Sequence, residues 1–506
     1  MRLSRFLIAA FFAASAAGLH AQSAKTAELG SITFPTSAKP AAQGPFLTGV
    51  KALYNFEFDT AAESFRAAQK ADPQFALGYW GEAMSFNHPL WAQQDLAAAR
   101  KVMERLAPTA AERAAKAPAG KERDLIEAQE ILFGAGDKLV RDIAYAQALE
   151  KMVAKYPADD EIKIMYALSL LGTARPGVNS ARQSMQAAAI AVDVFQRHPQ
   201  HPGAAHFIIH SFDDPDHAIL ALPAARAYAK IAPSAAHALH MPSHIFVQLG
   251  LWDDVIASNV VAYKAADDIA TRMSLPRGRE DFHTLSWLQY GYLQEGKFDE
   301  AAKALATAKA VSDKDPSPGV ANGYASMKAR QVVETHKWEK LPLPTGAVRE
   351  GGAPGYDGNA AYIFAAGFSA AHMDDLATAN VALEKLKAMR TQAETGSNAY
   401  RAKPFAIMEK ELEAMIAFTK KDMAAAERSI KEATTIELTL DAPSGPAEPI
   451  QPSFEIYGQM LLETNRPAEA AEQFQTSLKR MPNRRFALDG LKRATAGKTP
   501  TTAQGR

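Results

Sequence analysis

No cysteine occurs in the 506 residues. Its absence removes disulfide stapling, thiol nucleophiles and cysteine-ligated zinc, so stability rests on packing and any metal site must be built from His, Asp, Glu or Met. An excess of either charge is missing too: 56 Lys and Arg oppose 56 Asp and Glu, for a formal net charge of zero. That lacks the basic footprint of a nucleic-acid-binding surface, and no nucleic-acid partner is expected. Beyond residue 19 no apolar run is long enough to span a bilayer. Period-two strand patterns are absent, as are phosphate-loop, HExxH and GxSxG motifs, and "FGAGDK" at 133–138 lacks the strand-to-helix setting of a phosphate loop.

What is present is ordinary globular material, 47% hydrophobic and 22% charged. At the start, "MRLSRFLIAAFFAASAAGLHAQ" sets Arg2 and Arg5 ahead of an apolar run from Phe6 to Leu19 and a small-residue cleavage site at Leu19-His20-Ala21. Residues 1–21 therefore read as a signal peptide, with export to a periplasmic or extracellular location and no transmembrane anchor after cleavage. Residues 22–44 are polar with Pro and Gly and are expected to form a flexible lead-in, order beginning near Phe46. From there Ala-rich amphipathic stretches broken at "DP", "YP", "HP" and "AP" predict an all-α chain.

An internal repeat organises those helices. "LTGVKALYNFEFDTAAESFRAAQKADP" carries Gly49, Phe58, Ala61, Phe65, Ala68 and Pro73, and "YGQMLLETNRPAEAAEQFQTSLKRMP" carries Gly458, Ala470, Phe474 and Pro482 at matching intervals. This resembles the tetratricopeptide repeat (TPR), with further copies marked by "LGLWDDVIASN", "LQEGKFDEAAKAL" and "THKWEKL", each expected to be a turn between paired helices. The resemblance implies an α-solenoid, a right-handed superhelix of about ten helix pairs, in which small residues let helices approach and aromatic residues fill the gaps. An N-terminal array is expected over 45–340, a Gly/Pro-rich loop over 341–358, and a C-terminal array with a capping helix over 359–493. A disordered tail is expected over 494–506, and "DAPSGPAEPIQP" (441–452) reads as a surface loop. Extra residues interrupt the period at "TARPGVNS" and around "TRMSLPRGRED".

Eight of the thirteen histidines fall between His198 and His244, and both His206 to His240 and His210 to His244 span thirty-four residues. Positions four apart lie ~40° apart around a helix and positions three apart ~60°, so His206 with His210, and His237 with His240 and His244, form one-sided clusters. The TPR resemblance places all five on the inner face of adjacent helices. Axes ~8–10 Å apart allow imidazoles from two helices to share one ion, so His206, His210, His240 and His244 are the expected ligands of a metal, zinc or copper. Pro242 either aims His240 inward or spoils the geometry. The ligand-binding candidates are Trp80, Asn87, His88, His237, His283, Arg330 and Glu455. His198, His201, His336 and His372 sit in turns or at helix ends and are assigned no role. A purely structural imidazole network, and a capping role for "DDPD" at 213–216, stay open on these residues alone.

The phrases "YWGEAMSFNHPLW", "HPGAAHFIIHSFDDPDHA", "HALHMPSHIFVQLGLWDDV" and "PIQPSFEIYGQMLLETNRPAEAAEQF" resemble a family of exported bacterial TPR proteins. That resemblance implies location and fold and carries no activity. The family often has histidine where this chain has Phe454. The expected function is an exported binding or scaffold protein whose concave groove takes a peptide, a protein or a small polar ligand, with a histidine-ligated metal. The alternative is a metal-dependent hydrolase with Asp213, Asp214 or Glu82 as base. A metal-free, pH-sensitive anion groove is a third reading.

Overall fold

The computed structural model describes residues 28–174, 181–344, 359–395 and 399–496. The segment read as a signal peptide, the "TARPGVNS" insertion from residue 175, most of the expected 341–358 loop and the expected tail after Ala496 lie outside the described residues. Among them the chain is all-α, the exception being a two-stranded ribbon pairing Asn87 and His88 with Gln94 and Gln93. No described helix is long and apolar enough to cross a membrane.

The helices follow the TPR register for a steric reason that is repeated at both ends. Phe65, on the second helix of the first pair, wedges between Gly49 and Gly81, where an added Cβ would lie 2.7 and 2.2 Å from its ring. Phe474 does the same between Gly458 and Gly490, at 2.7 and 2.3 Å. Any side chain at those glycines would drive the helices apart, so the sixteen-residue alternation of Gly, Phe and Gly sets the packing distance. The fold is thus a TPR α-solenoid, as the repeat predicts.

Several segments depart from expectation. The lead-in is not loose: from Glu28 onward it packs, burying Leu29 and Phe34 to 2% and 1% exposure, and the first helix starts at Pro40, ahead of Phe46. Phe34 meets Phe46 edge-on, so two aromatic rings anchor what polar composition alone suggested was mobile. The extra residues near "TRMSLPRGRED" lengthen one helix, Trp252–Met273, before a short connector in which Arg277 pairs with Asp267 and Asp281. "THKWEKL" is no turn between paired helices. Helix Pro318–Thr335 ends there and residues 337–344 carry no regular secondary structure, Pro342 and Pro344 denying the chain a helix. The C-terminal core begins at Ala325, before the expected boundary at 341–358.

Both ends of the solenoid return to its middle. Ser31 N–H donates to the Gln200 carbonyl and Tyr228 Oη–H to Asn55 Oδ1, fixing the first helices on Pro202–Ser211 and its neighbour. At the other end Trp252 Nε1–H donates to the Asn483 carbonyl, and the Arg484 guanidinium is buried against Glu334 and Glu455 at 2.8 and 2.7 Å and against the Tyr290 hydroxyl. Residues 441–452 are no surface loop. Gly445 packs on Trp287, the Pro443 carbonyl accepts from Gln248, and Ala447 and Ile450 are buried across the inner face.

Removing one partner of a buried ion-pair network leaves uncompensated charge, at a cost of about 3–5 kcal/mol, whereas exposed pairs contribute about 0–1 kcal/mol. Arg484→Ala should therefore destabilise the protein by about 3 kcal/mol or more in urea denaturation, and Arg466→Ala, which breaks half-exposed pairs to Glu427 and Glu469, by under about 1 kcal/mol. Equal losses would contradict the closure described here.

Candidate metal centre

The first helices of three successive pairs converge on one region of the inner face: Pro202–Ser211, the segment Ala236–His240 with Pro242–Gln248, and Glu280–Gln294. Pro242 lacks an N–H, and the His244 N–H turns to the Met241 carbonyl, yet Met241 keeps helical angles. The bend is slight, and His240 and His244 still share a face, with Nε2 atoms 3.2 Å apart.

The histidines sort into two triads. His206, His210 and His237 form one and His240, His244 and His283 the other, the nitrogens of each set lying within 4.8 Å of one another. This differs from the expected single site of His206, His210, His240 and His244. The lengthened helix Trp252–Met273 sets the register of Glu280–Gln294 and brings His283 Nε2 to 2.9 Å from His240 Nε2, while His237 turns to His206 at 3.2 Å. The two sets are neighbours: ring centres of His210 and His244 are 6.2 Å apart and those of His237 and His240 6.4 Å.

Acceptors behind the rings fix which nitrogen carries hydrogen. His206 Nδ1–H donates to the Tyr54 carbonyl at 2.6 Å, and His244 Nδ1–H to Asp213 at 2.7 Å. His240 Nδ1–H donates to Asn259 Oδ1 at 2.7 Å, an oxygen identified by its amide partner Nδ2 donating to the Val255 carbonyl. His237 Nδ1 lies 3.5 Å from a Glu280 carboxylate oxygen. The Nε2 atoms of His206, His240 and His244 are therefore bare lone pairs, and in the second triad two of them, those of His240 and His244, face each other at 3.2 Å. Neutral acceptors at that separation repel and cannot bond. A cation between them resolves the conflict, and tetrahedral zinc with bonds of ~2.0–2.1 Å sets its nitrogens ~3.3–3.4 Å apart.

Protons do not resolve it. Burial, reinforced by neighbouring imidazoles, holds His206, His210 and His240 well below the ordinary histidine range, whereas His283 is exposed to solvent. His210 Nε2 is buried with no partner among the described residues. Two carboxylates flank the site. Burial alone would raise Glu280, but His237 beside it holds it below the usual carboxylate range. Burial raises Glu57, which accepts the His237 backbone N–H, to about 7.

Several contributors were not singled out from the sequence. Phe56 packs on His206, His210 and His237 with ring centres 4.4, 5.8 and 5.4 Å away, from a left-handed backbone (φ 55°). Gly250 and Gly296 occupy the same kind of turn, and a bulky residue there costs about 1–3 kcal/mol, so the ring is held against strain beside the histidines. Trp287 lies 4.9 and 4.3 Å from His240 and His244; its place one turn after His283 was the available signal. Asn259, Tyr54 and Glu57 carry no spacing signal, since tertiary packing alone brings them in.

The other expected site residues scatter. His88 stacks on Phe58 at 4.0 Å and borders the site through Trp91, whose ring is 6.2 Å from His237. Trp80 is buried, and Asn87 accepts from Gln94 beside it. Arg330 and Glu455 do not face the histidines: Arg330 lies over the Tyr290 ring and donates to the Ala447 carbonyl, and Glu455 is held by Arg484 in the closure joint. Glu82 is held by Arg66, Arg105 and Gln69, and Asp214 caps its own turn and pairs with His217, outside the triads; of the three expected bases only Asp213 reaches a histidine of the two triads.

No family model matches the chain, and no curated protein matches it. Among solved structures it is similar to a human IFIT1 dimer with m7Gppp-AAAA (14% identity, 92% of this chain and 91% of that one, TM-score 0.31). It is similar also to yeast Tom70 (12%, 90% and 95%, 0.32) and the P58(IPK) TPR domain (13%, 90% and 97%, 0.22).

Neutral buried histidines make the metal-free protein acid-sensitive. Their folded values lie below the ordinary 6.5, so as pH falls the unfolded chain takes up protons first and stability drops progressively below pH 6.5. Thermal melts of metal-free protein should show Tm falling from pH 7.5 to 5, with a shallower fall in His210→Gln. Parallel slopes would contradict the burial of His210 in a neutral state.

Proposed function

We propose that this chain is an exported TPR binding protein whose inner face holds metal ions on two adjacent histidine triads and there captures a small polar ligand. The carrying observation is the gathering of three histidine nitrogens within 4.8 Å in each triad, with the Nε2 lone pairs of His240 and His244 facing each other and the rings of His206, His240 and His244 backed by Tyr54, Asn259 and Asp213. Ring orientation by a second acceptor is the usual support of histidine ligands. Arg2, Arg5 and the Phe6–Leu19 run support export. Segment 441–452 lies across the inner face, which favours a small ligand over a peptide or protein. Nitrogen-only donors favour zinc or copper.

A second reading, a metal-dependent hydrolase, draws on one observation: three protein nitrogens per site leave a coordination position for water, as catalytic zinc sites do. On that reading Glu57, which touches the His237 backbone, replaces Asp214 and Glu82 as the candidate base.

Elemental analysis of untagged mature protein should find up to two zinc or copper ions per chain, with His206→Ala and His240→Ala each losing one. Asp213→Asn should weaken one of the two by about 10–100-fold. Metal content unchanged in the double alanine variant would remove the proposed site. Metal-dependent turnover of an ester or amide, lost in Glu57→Gln, would establish the second reading, and its absence across a broad screen would leave the first.

A further inference from the structure

Each triad lies under an aromatic ring. In the first, the ring centres of His206 and His210 are 4.7 Å apart, those of His206 and His237 5.0 Å and those of His210 and His237 6.3 Å. Phe56 stands 4.4, 5.8 and 5.4 Å from His206, His210 and His237. In the second, the centres of His240 and His244 are 5.1 Å apart, those of His240 and His283 4.5 Å and those of His244 and His283 6.3 Å. Trp287 stands 4.9, 4.3 and 5.6 Å from His240, His244 and His283. Such distances put each aromatic ring over the interior of its histidine triangle, close to van der Waals contact, and not beside it.

The tilt of these rings matters as much as their place. Phe56 is 29° from parallel to His210 and 35° from parallel to His237, and Trp287 is 32° from parallel to His244. A metal on an imidazole nitrogen lies in the plane of that imidazole, so a ring stacked on the imidazole turns its face, not its edge, to the ion. The face is the negative pole of an aromatic ring and attracts a cation, indole more strongly than benzene. A fourth ligand on this side, ~2 Å from the ion, would lie inside the contact distance of the ring, which leaves the opposite side for the small polar ligand. Charge adds a second constraint. The carboxylates that touch the triads belong to Glu57, Asp213 and Glu280, and the six imidazoles are neutral donors. Two divalent ions would bring more positive charge than all three carboxylates offset, in a setting where unpaired charge is costly; two monovalent ions would not.

We infer that the triads select monovalent copper, each ion held by three imidazole nitrogens and by the face of Phe56 or Trp287. The inference rests on the metal-site reading and chooses between the ions that reading allows. Zinc takes four nitrogen, oxygen or sulfur ligands in a tetrahedron, and an aromatic ring blocks one approach to the fourth position. Copper(I) is a soft ion of single charge that three donors satisfy. Thiolates are its usual soft partners, the chain has no cysteine, and the aromatic face stands where such a donor would.

The test uses the full mature protein without oxygen, with copper(I) presented from bicinchoninate and zinc from a chromophoric chelator. Wild type should take up two copper(I) ions per chain, one for each triad. Trp287→Leu should weaken one of the two by about tenfold, the worth of a desolvated cation–π contact, and leave zinc affinity within about twofold. Copper(I), but not zinc, should also shift the indole absorption band of wild type, and Trp287→Leu should lose that shift. Phe56→Leu should weaken the other copper(I) ion in the same selective way; either variant suffices if the other fails to fold. Equal losses of copper(I) and zinc affinity, or no loss of copper(I) affinity, would overturn the aromatic contact and leave Phe56 and Trp287 as packing. Zinc held on the triads of a protein that takes no copper(I) from bicinchoninate would overturn the choice of ion while the metal-site reading stands. A chain that binds neither ion would sink both.

Discussion

The return of both chain ends to the central repeats is the constraint on which the rest depends. An open solenoid would leave the inner face of the histidine helices in water, where imidazoles keep ordinary acidity and find solvent partners. Here the first helix pair brings the Tyr54 carbonyl, Phe56 and Glu57 onto His206 and His237, and the C-terminal end drives Gly445 against Trp287 beside His240 and His244. Closure is held by buried polar contacts as much as by apolar area, with Arg484 bound to Glu334 and Glu455 and Tyr228 to Asn55. Such contacts add little net stability compared with well-packed apolar ones, but each must be made in one geometry.

That geometry is what makes a polar cluster a candidate site. A buried histidine network made only for structure would let each ring donate to the next. In this protein His206, His240 and His244 donate outward, to a carbonyl, a carboxamide and a carboxylate, and the acceptor nitrogens of His240 and His244 point inward at each other. The arrangement is poor as a hydrogen-bond network and good as a ligand set. Strain in the Phe56 backbone and the nitrogens of His210 and Trp80 that have no partner among the described residues fall in the same small region. Unfavourable local features gathered at one place mark a site more often than scattered ones.

How much of this could be read from the sequence divides along a physical line. Local packing rules were legible: the Gly49, Phe65, Gly81 alternation and its C-terminal copy express helix contact within one repeat, and the histidine spacing places side chains from neighbouring repeats together. What depended on register or on distant packing was not legible. His237 and His283 changed partners because the helix Trp252–Met273 absorbed the extra residues, and Arg330 and Glu455 went to the closure joint because Arg484 arrives from the last turn of the array. Polar, Pro-rich composition correctly denied helix to 441–452 and to residues 28–39 of the lead-in but missed the helix that begins at Pro40, and composition does not record that Phe34 or Ile450 will find a core.

The measurement that bears most directly on the central claim is X-ray absorption spectroscopy of the zinc- or copper-loaded mature protein. Facing lone pairs predict a first shell dominated by about three imidazole nitrogens per metal at ~2.0–2.1 Å, completed by a lighter oxygen contribution. An oxygen-dominated shell, or a spectrum unaltered in the His206→Ala/His240→Ala double variant, would contradict the account and return the six histidines to a structural role.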